Sequence, residues 1–378
     1  MKDNRRNFIR KSVGYAAGIS VGKSAAANGV RKVTQMDNRK TKEYVRDAGM
    51  QMSEAYFDGF NQHKIALCRQ MDVLGAVAGI NPKMVGLDGK PWDIEAVQAV
   101  KNAWDNEGLK MTVIEGPPSL GEKTKLGLEG RDEEIANFIT FMHNLQKVGI
   151  DTICYNWMPV IGWYRTDNAK RGRGGALVTA FDNDAIKDAA PTPYGQVSKE
   201  QLWATLEYFL KAVVPEAEKT GIKLAMHPDD PQVDQIKGIS RIMTTVDNFK
   251  RMLDIYPSPN NGITMCQGNF SLMGVDIPTV VREFGKRKAI HFVHFRNVRG
   301  GKYKFEETFH DDGQIDMYEA MRAYYEIGFR GPIRPDHVPT MAEDSNSFPG
   351  YSTIGTLYAN GYIRGLMEAV SKEKTAHI

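Results

Sequence analysis

The chain has 378 residues, 42% hydrophobic and 25% charged, which is enough apolar material for a large domain with a full core. Its formal net charge of +3 sits at one end: residues 1–42 hold eleven Lys/Arg against Asp3 and Asp37, leaving 38 basic and 44 acidic side chains in the rest. An acidic body has no bulk electrostatic reason to bind nucleic acid, and three cysteines, Cys68, Cys154 and Cys266, are no disulfide framework.

The first segment, Asn4-Arg5-Arg6-Asn7-Phe8-Ile9-Arg10-Lys11, leads into a weakly apolar stretch from Ser12 to Gly22 and then Ala25-Ala26-Ala27. This is the form of a twin-arginine export signal over residues 1–27, with a small-residue cleavage site. A periplasmic destination is therefore expected; the plain alternative is a basic tail without function. The apolar stretch is too short and glycine-rich to span a bilayer, so no stable membrane insertion is expected.

A polar linker over 28–48 opens onto a domain expected over 49–372, where short apolar runs alternate with longer amphipathic segments. The pattern predicts strands near 50–55, 72–79, 110–115, 151–155, 222–227, 262–266, 289–297 and 331–336. Helices are predicted near 58–69, 92–107, 131–148, 199–220, 246–255, 277–286, 316–328 and 351–371, with Asp93, Ser198, Thr245 and Asp316 placed to open four of them. Eight strands alternating with eight helices over about 320 residues is the count of an α/β single domain, the (β/α)8 TIM barrel. A doubly wound open sheet has the same alternation, but no Gly-rich dinucleotide fingerprint follows an early strand. One connection is long: from Asn156 to about Val197, after strand four, the chain carries Trp157, Trp163, Tyr164, Arg165 and the run Arg171-Gly-Arg-Gly-Gly175. Long rim loops serve as lids, substrate walls or subunit contacts; the glycine run reads equally as a solvated turn or an anion site.

Four residues close apolar runs: His227 in LAMHPDD, Cys266 in ITMCQGN, His294 in HFVHFRN and Asp336 in PIRPDH. Singly, each has a structural reading, as a hydrogen-bonded strand-end histidine, a core thiol or a helix cap. Together, two imidazoles, a thiolate and a carboxylate form a ligand set for one divalent transition metal. A barrel gathers the C-terminal ends of strands five to eight around one axis, where active sites of this architecture lie. His291, an odd number of residues before His294, faces the opposite side of its strand and belongs to the helix layer.

Several extended segments resemble the D-mannonate dehydratase family, within the xylose-isomerase-like group of barrels. They are Lys125–Asp132, Cys154–Pro159, Arg165–Asp167, His227–Pro231, Cys266–Gly268, His294–Val298, Phe309-His310 with Asp316-Met317, and Arg334–His337. The resemblance implies a manganese-type site made by His227, Cys266, His294 and Asp336, with iron, cobalt and zinc suiting the same donors. It implies dehydration of a hexonate, D-mannonate first, to a 2-keto-3-deoxy acid. His337 and Tyr351 stand where the family places an acid/base pair, with their two roles left open. Arg334, Arg296 and Arg165 become candidate clamps for the substrate carboxylate. Glu115 and Asn156, closing strands three and four, become candidates for its hydroxyls, and His310 is placed to close over the site from the seventh loop. The partner is then a small-molecule sugar acid, and a homo-oligomer is expected. Around the substrate the chain departs from the family's usual pattern at Ala78-Gly-Ile-Asn-Pro82, Gly162-Trp163, Tyr164 and Val338-Pro339. Two other readings stay open: an isomerase, epimerase or lyase of the same group acting on another sugar or uronate, and a non-catalytic envelope protein that binds sugar or metal.

Overall fold

The computed structural model describes residues 48–376; the expected export signal and nearly all of the linker lie outside the described residues. In chain order the strands are β1 (Gln51–Ala55), β2 (Gly75–Ala78), β3 (Lys110–Glu115), β4 (Thr152–Tyr155), β5 (Asp167–Arg171), β6 (Leu177–Asp182), β7 (Lys223–Met226), β8 (Gln235–Ile236), β9 (Ile239–Ser240), β10 (Asn261–Cys266), β11 (Ile290–Phe295), β12 (Val298–Gly301), β13 (Lys304–Glu307) and β14 (Pro332–Pro335). Eight of them close a parallel barrel in the order β1–β2–β3–β4–β7–β10–β11–β14, with Gln51 pairing to Pro332 at the seam. These are the eight strands that the apolar runs predict.

Helices Gln62–Gln70, Ile94–Asn106, Arg131–Lys147, Lys199–Thr220, Val246–Ile255, Ile277–Lys286, Met317–Glu326 and Thr353–Ala376 follow successive barrel strands. Three of the expected openers accept a backbone N–H with their side chains: Ser198 from Gln201, Thr245 from Asn248 and Asp316 from Glu319. Each such cap contributes about 1 kcal/mol. Asp93 holds the same position without that bond.

Strand alternation divides the core in two. Val77, Val113, Cys154, Ala225 and Phe292 fill the barrel interior. Facing outward, Met226, Val293 and Phe295 join Phe209, Phe284 and Tyr324 in the shell between strands and helices. His291 shares the outward parity of Val293 and is buried there, donating its Nδ1–H to the Leu224 carbonyl at 2.9 Å. Cys68 is a buried packing residue on the helix Gln62–Gln70, whereas Cys154, also buried, reaches the cavity at the barrel mouth and clusters there with Glu115 and His294.

The long connection after strand four is more ordered than its sequence indicates. It carries the hairpin β5–β6, whose turn runs through Arg171–Gly175 with Gly174 and Gly175 at positive φ (+61° and +84°), a region that glycine enters without steric cost. Strand β6 then pairs with β13, and β13 with β12, giving an antiparallel sheet in the order β12–β13–β6–β5. Two separate connections, after the fourth and the seventh barrel strands, thus build one sheet at the C-terminal rim. Arg173 donates to Asp311 at 2.8 Å and lies 3.9 Å over the Phe309 ring. That contact docks the glycine run and commits its middle arginine internally. No described helix is long and apolar enough to cross a membrane.

Candidate active site at the barrel mouth

Parallel register assembles the site. Cys266 on β10 pairs with His294 on β11, and His294 pairs with Arg334 on β14, so these side chains point inward in one row. His227 follows β7, with its backbone N–H bound to the Tyr155 carbonyl at 2.7 Å, and Asp336 follows β14. A cavity of about 320 Å³ opens here, its wall including Glu115, Asn156, His227, His294, Arg334, Asp336, His337 and Tyr351, with Phe57, Trp163 and Phe348 at its aromatic rim; Cys266 is fully buried and not on that wall.

The four strand-end residues converge. His227 Nε2 lies 3.2 Å from His294 Nδ1, and Asp336 Oδ2 lies 3.6 Å from both His294 Nδ1 and Cys266 Sγ. One donor atom each of His227, Cys266 and His294 falls within 4.8 Å of the others. His227 donates its Nδ1–H to the Pro228 carbonyl at 2.7 Å, which turns Nε2 toward His294 and the cluster. Burial and Arg334 push the His294 imidazole down, but Glu115 and Asp336 outweigh them and lift it to about 9. Burial also raises the Asp336 carboxyl, yet His337, Arg334 and His294 hold it well below the usual carboxylate range. Crowded lone pairs of this kind need a shared proton or a shared cation, and the donor types fit a divalent transition metal.

His337 and Tyr351 flank the same carboxylate. Tyr351 donates its hydroxyl to Asp336 Oδ1 at 3.2 Å, while His337 Nδ1 lies 3.8 Å from Asp336 Oδ2 and 3.2 Å from Glu307 Oε1. Their rings meet edge-on at 5.6 Å, and Trp163 covers His337 at 5.5 Å. The His337 backbone has φ +48°, a strained conformation for a residue with a side chain, of the kind that collects at functional sites.

Among the residues expected to hold substrate, Glu115, Asn156 and Arg334 reach the cavity wall. Arg334 binds Glu115 through Nε and Nη2 at 3.0–3.2 Å and donates Nη1 to Asp336 Oδ1 at 2.8 Å. Asn156 Oδ1 accepts from Lys125 Nζ at 3.1 Å, and burial lowers that lysine to about 8.

Arg165, Arg296 and His310 are placed differently from expectation. Arg165 spans Asp230 (Nη2–Oδ2 3.0 Å) and Glu307 (Nη2–Oε1 2.7 Å). Arg296 likewise bonds Asp230 at 3.0 Å and Glu307 at 2.8 Å, and also Asn269. Both guanidiniums are fully buried and absent from the cavity wall, because a cation removed from water must be paired, and these two carboxylates pair them. His310 is buried behind the wall, where desolvation drops its imidazole to about 4. Sequence reading passes over the roles of Asp230 and Glu307. Asp230 had a local signal, standing in His227-Pro-Asp-Asp-Pro231 beside a strand end; Glu307 had none, since it enters on the antiparallel sheet.

Fold and site together define a (β/α)8 barrel whose mouth gathers two imidazoles, a thiol and a carboxylate beside a histidine–tyrosine pair. The profile of the D-mannonate dehydratase (UxuA) family matches residues 50–193 and 189–377. The chain belongs to that family, which makes it a metal-dependent hydro-lyase. It is 35% identical over 350 residues to mannonate dehydratase 2 of Halalkalibacterium halodurans, covering 85% of this chain and 100% of that one. It is 39% identical to the mannonate dehydratase of Streptococcus uberis, over 75% and 88% of the two chains. The crystal structure of mannonate dehydratase from Streptococcus suis serotype 2 superposes with a TM-score of 0.78 at 33% identity, covering 86% of this chain and 95% of that one.

Proposed function

We propose that the protein dehydrates D-mannonate to 2-keto-3-deoxy-gluconate and water, with manganese as its metal. The observation that carries this reading is the cluster of His227, Cys266 and His294, with Asp336 3.6 Å from the last two, Tyr351 bound to Asp336 at 3.2 Å and His337 beside it. The chemistry has two difficulties: the proton alpha to a carboxylate is weakly acidic, and hydroxide is a poor leaving group. A divalent cation held by the four donors supplies Lewis-acid stabilisation of the charge that develops on the substrate carboxylate. His337 and Tyr351 supply the base that takes the alpha proton and the acid that protonates the departing hydroxyl. Asp336 orients the phenol, and Arg334 with Glu115 offers paired charges to the substrate's polar groups. Trp163, Phe57 and Phe348 form an apolar rim that limits water at the mouth.

A non-catalytic binding protein has no use for His337 and Tyr351 directed at the metal donors, and both adjoin Asp336. The reading is tested by incubating metal-loaded protein with a panel of hexonates and assaying 2-keto-3-deoxy acids. Product is expected from D-mannonate before its epimers; no product from any hexonate at full metal occupancy overturns the proposal.

A further inference from the structure

We propose that Glu307, on β13 of the antiparallel sheet, is a positioning residue for His337, a ring on the cavity wall: it fixes the proton on Nδ1, so that Nε2 is the nitrogen that accepts one. The inference deepens the dehydratase reading and rests on it for the reaction, though not for the geometry. Glu307 is buried, its side chain 2% exposed, and both of its oxygens are occupied. Oε2 accepts from Arg296 Nε at 2.8 Å; Oε1 accepts from Arg165 Nη2 at 2.7 Å and from Arg296 Nη2. A carboxylate set between two guanidiniums is ionised and only accepts, so the hydrogen shared with His337 across 3.2 Å belongs to Nδ1. Asp230 meets the same two arginines from the other side, so two cations and two anions balance. The cluster thus sets geometry beside the metal donors without adding net charge there. The ring is held further by Trp163 at 5.5 Å, by the edge of Tyr351 at 5.6 Å, and by a backbone kept at φ +48°.

This arrangement separates the two roles that the sequence left open. A histidine with a bare Nε2 accepts the C2 proton of the hexonate. The C2–H electron pair forms the C2=C3 bond as the C3 hydroxyl leaves as water with the proton of Tyr351. The resulting enol ketonises by taking the proton from His337 at C3 and returning its own hydroxyl proton to the Tyr351 oxygen, so both groups end as they began. The outcome is one hexonate converted to one 2-keto-3-deoxy acid and one water. The antiparallel sheet therefore does more than cover the mouth, because it delivers the group that orients the base.

The test uses the full metal-loaded chain. In Glu307→Gln one amide face must meet a guanidinium donor, so His337 loses its defined acceptor. Expected are a fall in kcat of about 10³–10⁴-fold, little change in KM, unchanged metal content, and a larger primary isotope effect with 2-deuterated hexonate. Glu307→Asp, which keeps the charge, should recover part of kcat. Nitrogen NMR of zinc-loaded wild type should show His337 protonated on Nδ1. Wild-type kcat in Glu307→Gln, a loss that tracks metal or KM, or a wild-type His337 protonated on Nε2 overturns the inference. If Glu307→Gln does not fold, the wild-type tautomer decides. If the wild type turns over no hexonate, the dehydratase reading falls and the tautomer still decides the role of Glu307.

Discussion

His294 carries the most opposed demands of any side chain in the site. Its Nδ1 faces His227 and Asp336, and its Nε2 lies 3.5 Å from Glu115 Oε2. Without a metal this imidazole is raised to about 9, against burial, by Glu115 and Asp336. A raised histidine stabilises the metal-free fold fully below its ordinary value of about 6.5, and that contribution is lost as pH rises through about 9. A metal bound at His294 would have to expel the same proton. Apparent Mn²⁺ affinity, measured by titration calorimetry between about pH 6 and pH 8, should therefore climb about tenfold or more per pH unit. A flat profile would show that His294 is not protonated in the metal-free protein. Cys266 offers a second check. Its sulfur lies 3.6 Å from Asp336 Oδ2 and 3.4 Å from Arg296 Nη1, so Cys266→Ser should lower bound metal while leaving the fold intact. Stoichiometric metal in that variant would remove Cys266 from the ligand set.

At the level of elements, the barrel strands and the antiparallel sheet were unequally legible. The barrel strands were readable because each is a short apolar run bounded by turns, and because parity within β11 separates inward His294 from outward His291. The antiparallel sheet was not. Strand β5 is exposed along its whole length and shows no alternation, and β6 finds its partner β13 far along the chain, Asp182 opposite Lys304. The same sheet brings Arg165 and Glu307 into the buried ion cluster. Removing one cation there leaves Asp230 and Glu307 under-paired in a dry interior. Arg165→Leu should cost about 3–5 kcal/mol in denaturant unfolding. Arg173→Ala, which breaks the more exposed pair with Asp311 on the same hairpin, should cost less than about 1 kcal/mol. Equal losses would mean that burial adds nothing to the cost of unpairing this cluster.

For the whole molecule, the charge division between residues 1–42 and the rest motivates a proposal of export. Residues 1–27 fused to a fast-folding reporter should send it to the periplasm of cells with a twin-arginine translocase, and replacing Arg5 and Arg6 by lysine should retain it inside. Retention of the unaltered fusion would reduce the leader to a basic tail. In the rest of the chain, sequence by itself determined the eight-strand count, the alternation with helices, and the placing of His227, Cys266, His294 and Asp336 at successive strand ends. All of these follow from local periodicity and from where apolar runs stop. Only the tertiary structure decided which polar groups face each other. It turned Arg165 and Arg296 from the cavity to Asp230 and Glu307, joined Glu115 to Arg334, and set Glu307 against His337. The physical reason is that charges buried far apart in sequence must find partners through space, and an insertion's strand pairing, invisible in any short window, chooses which ones meet.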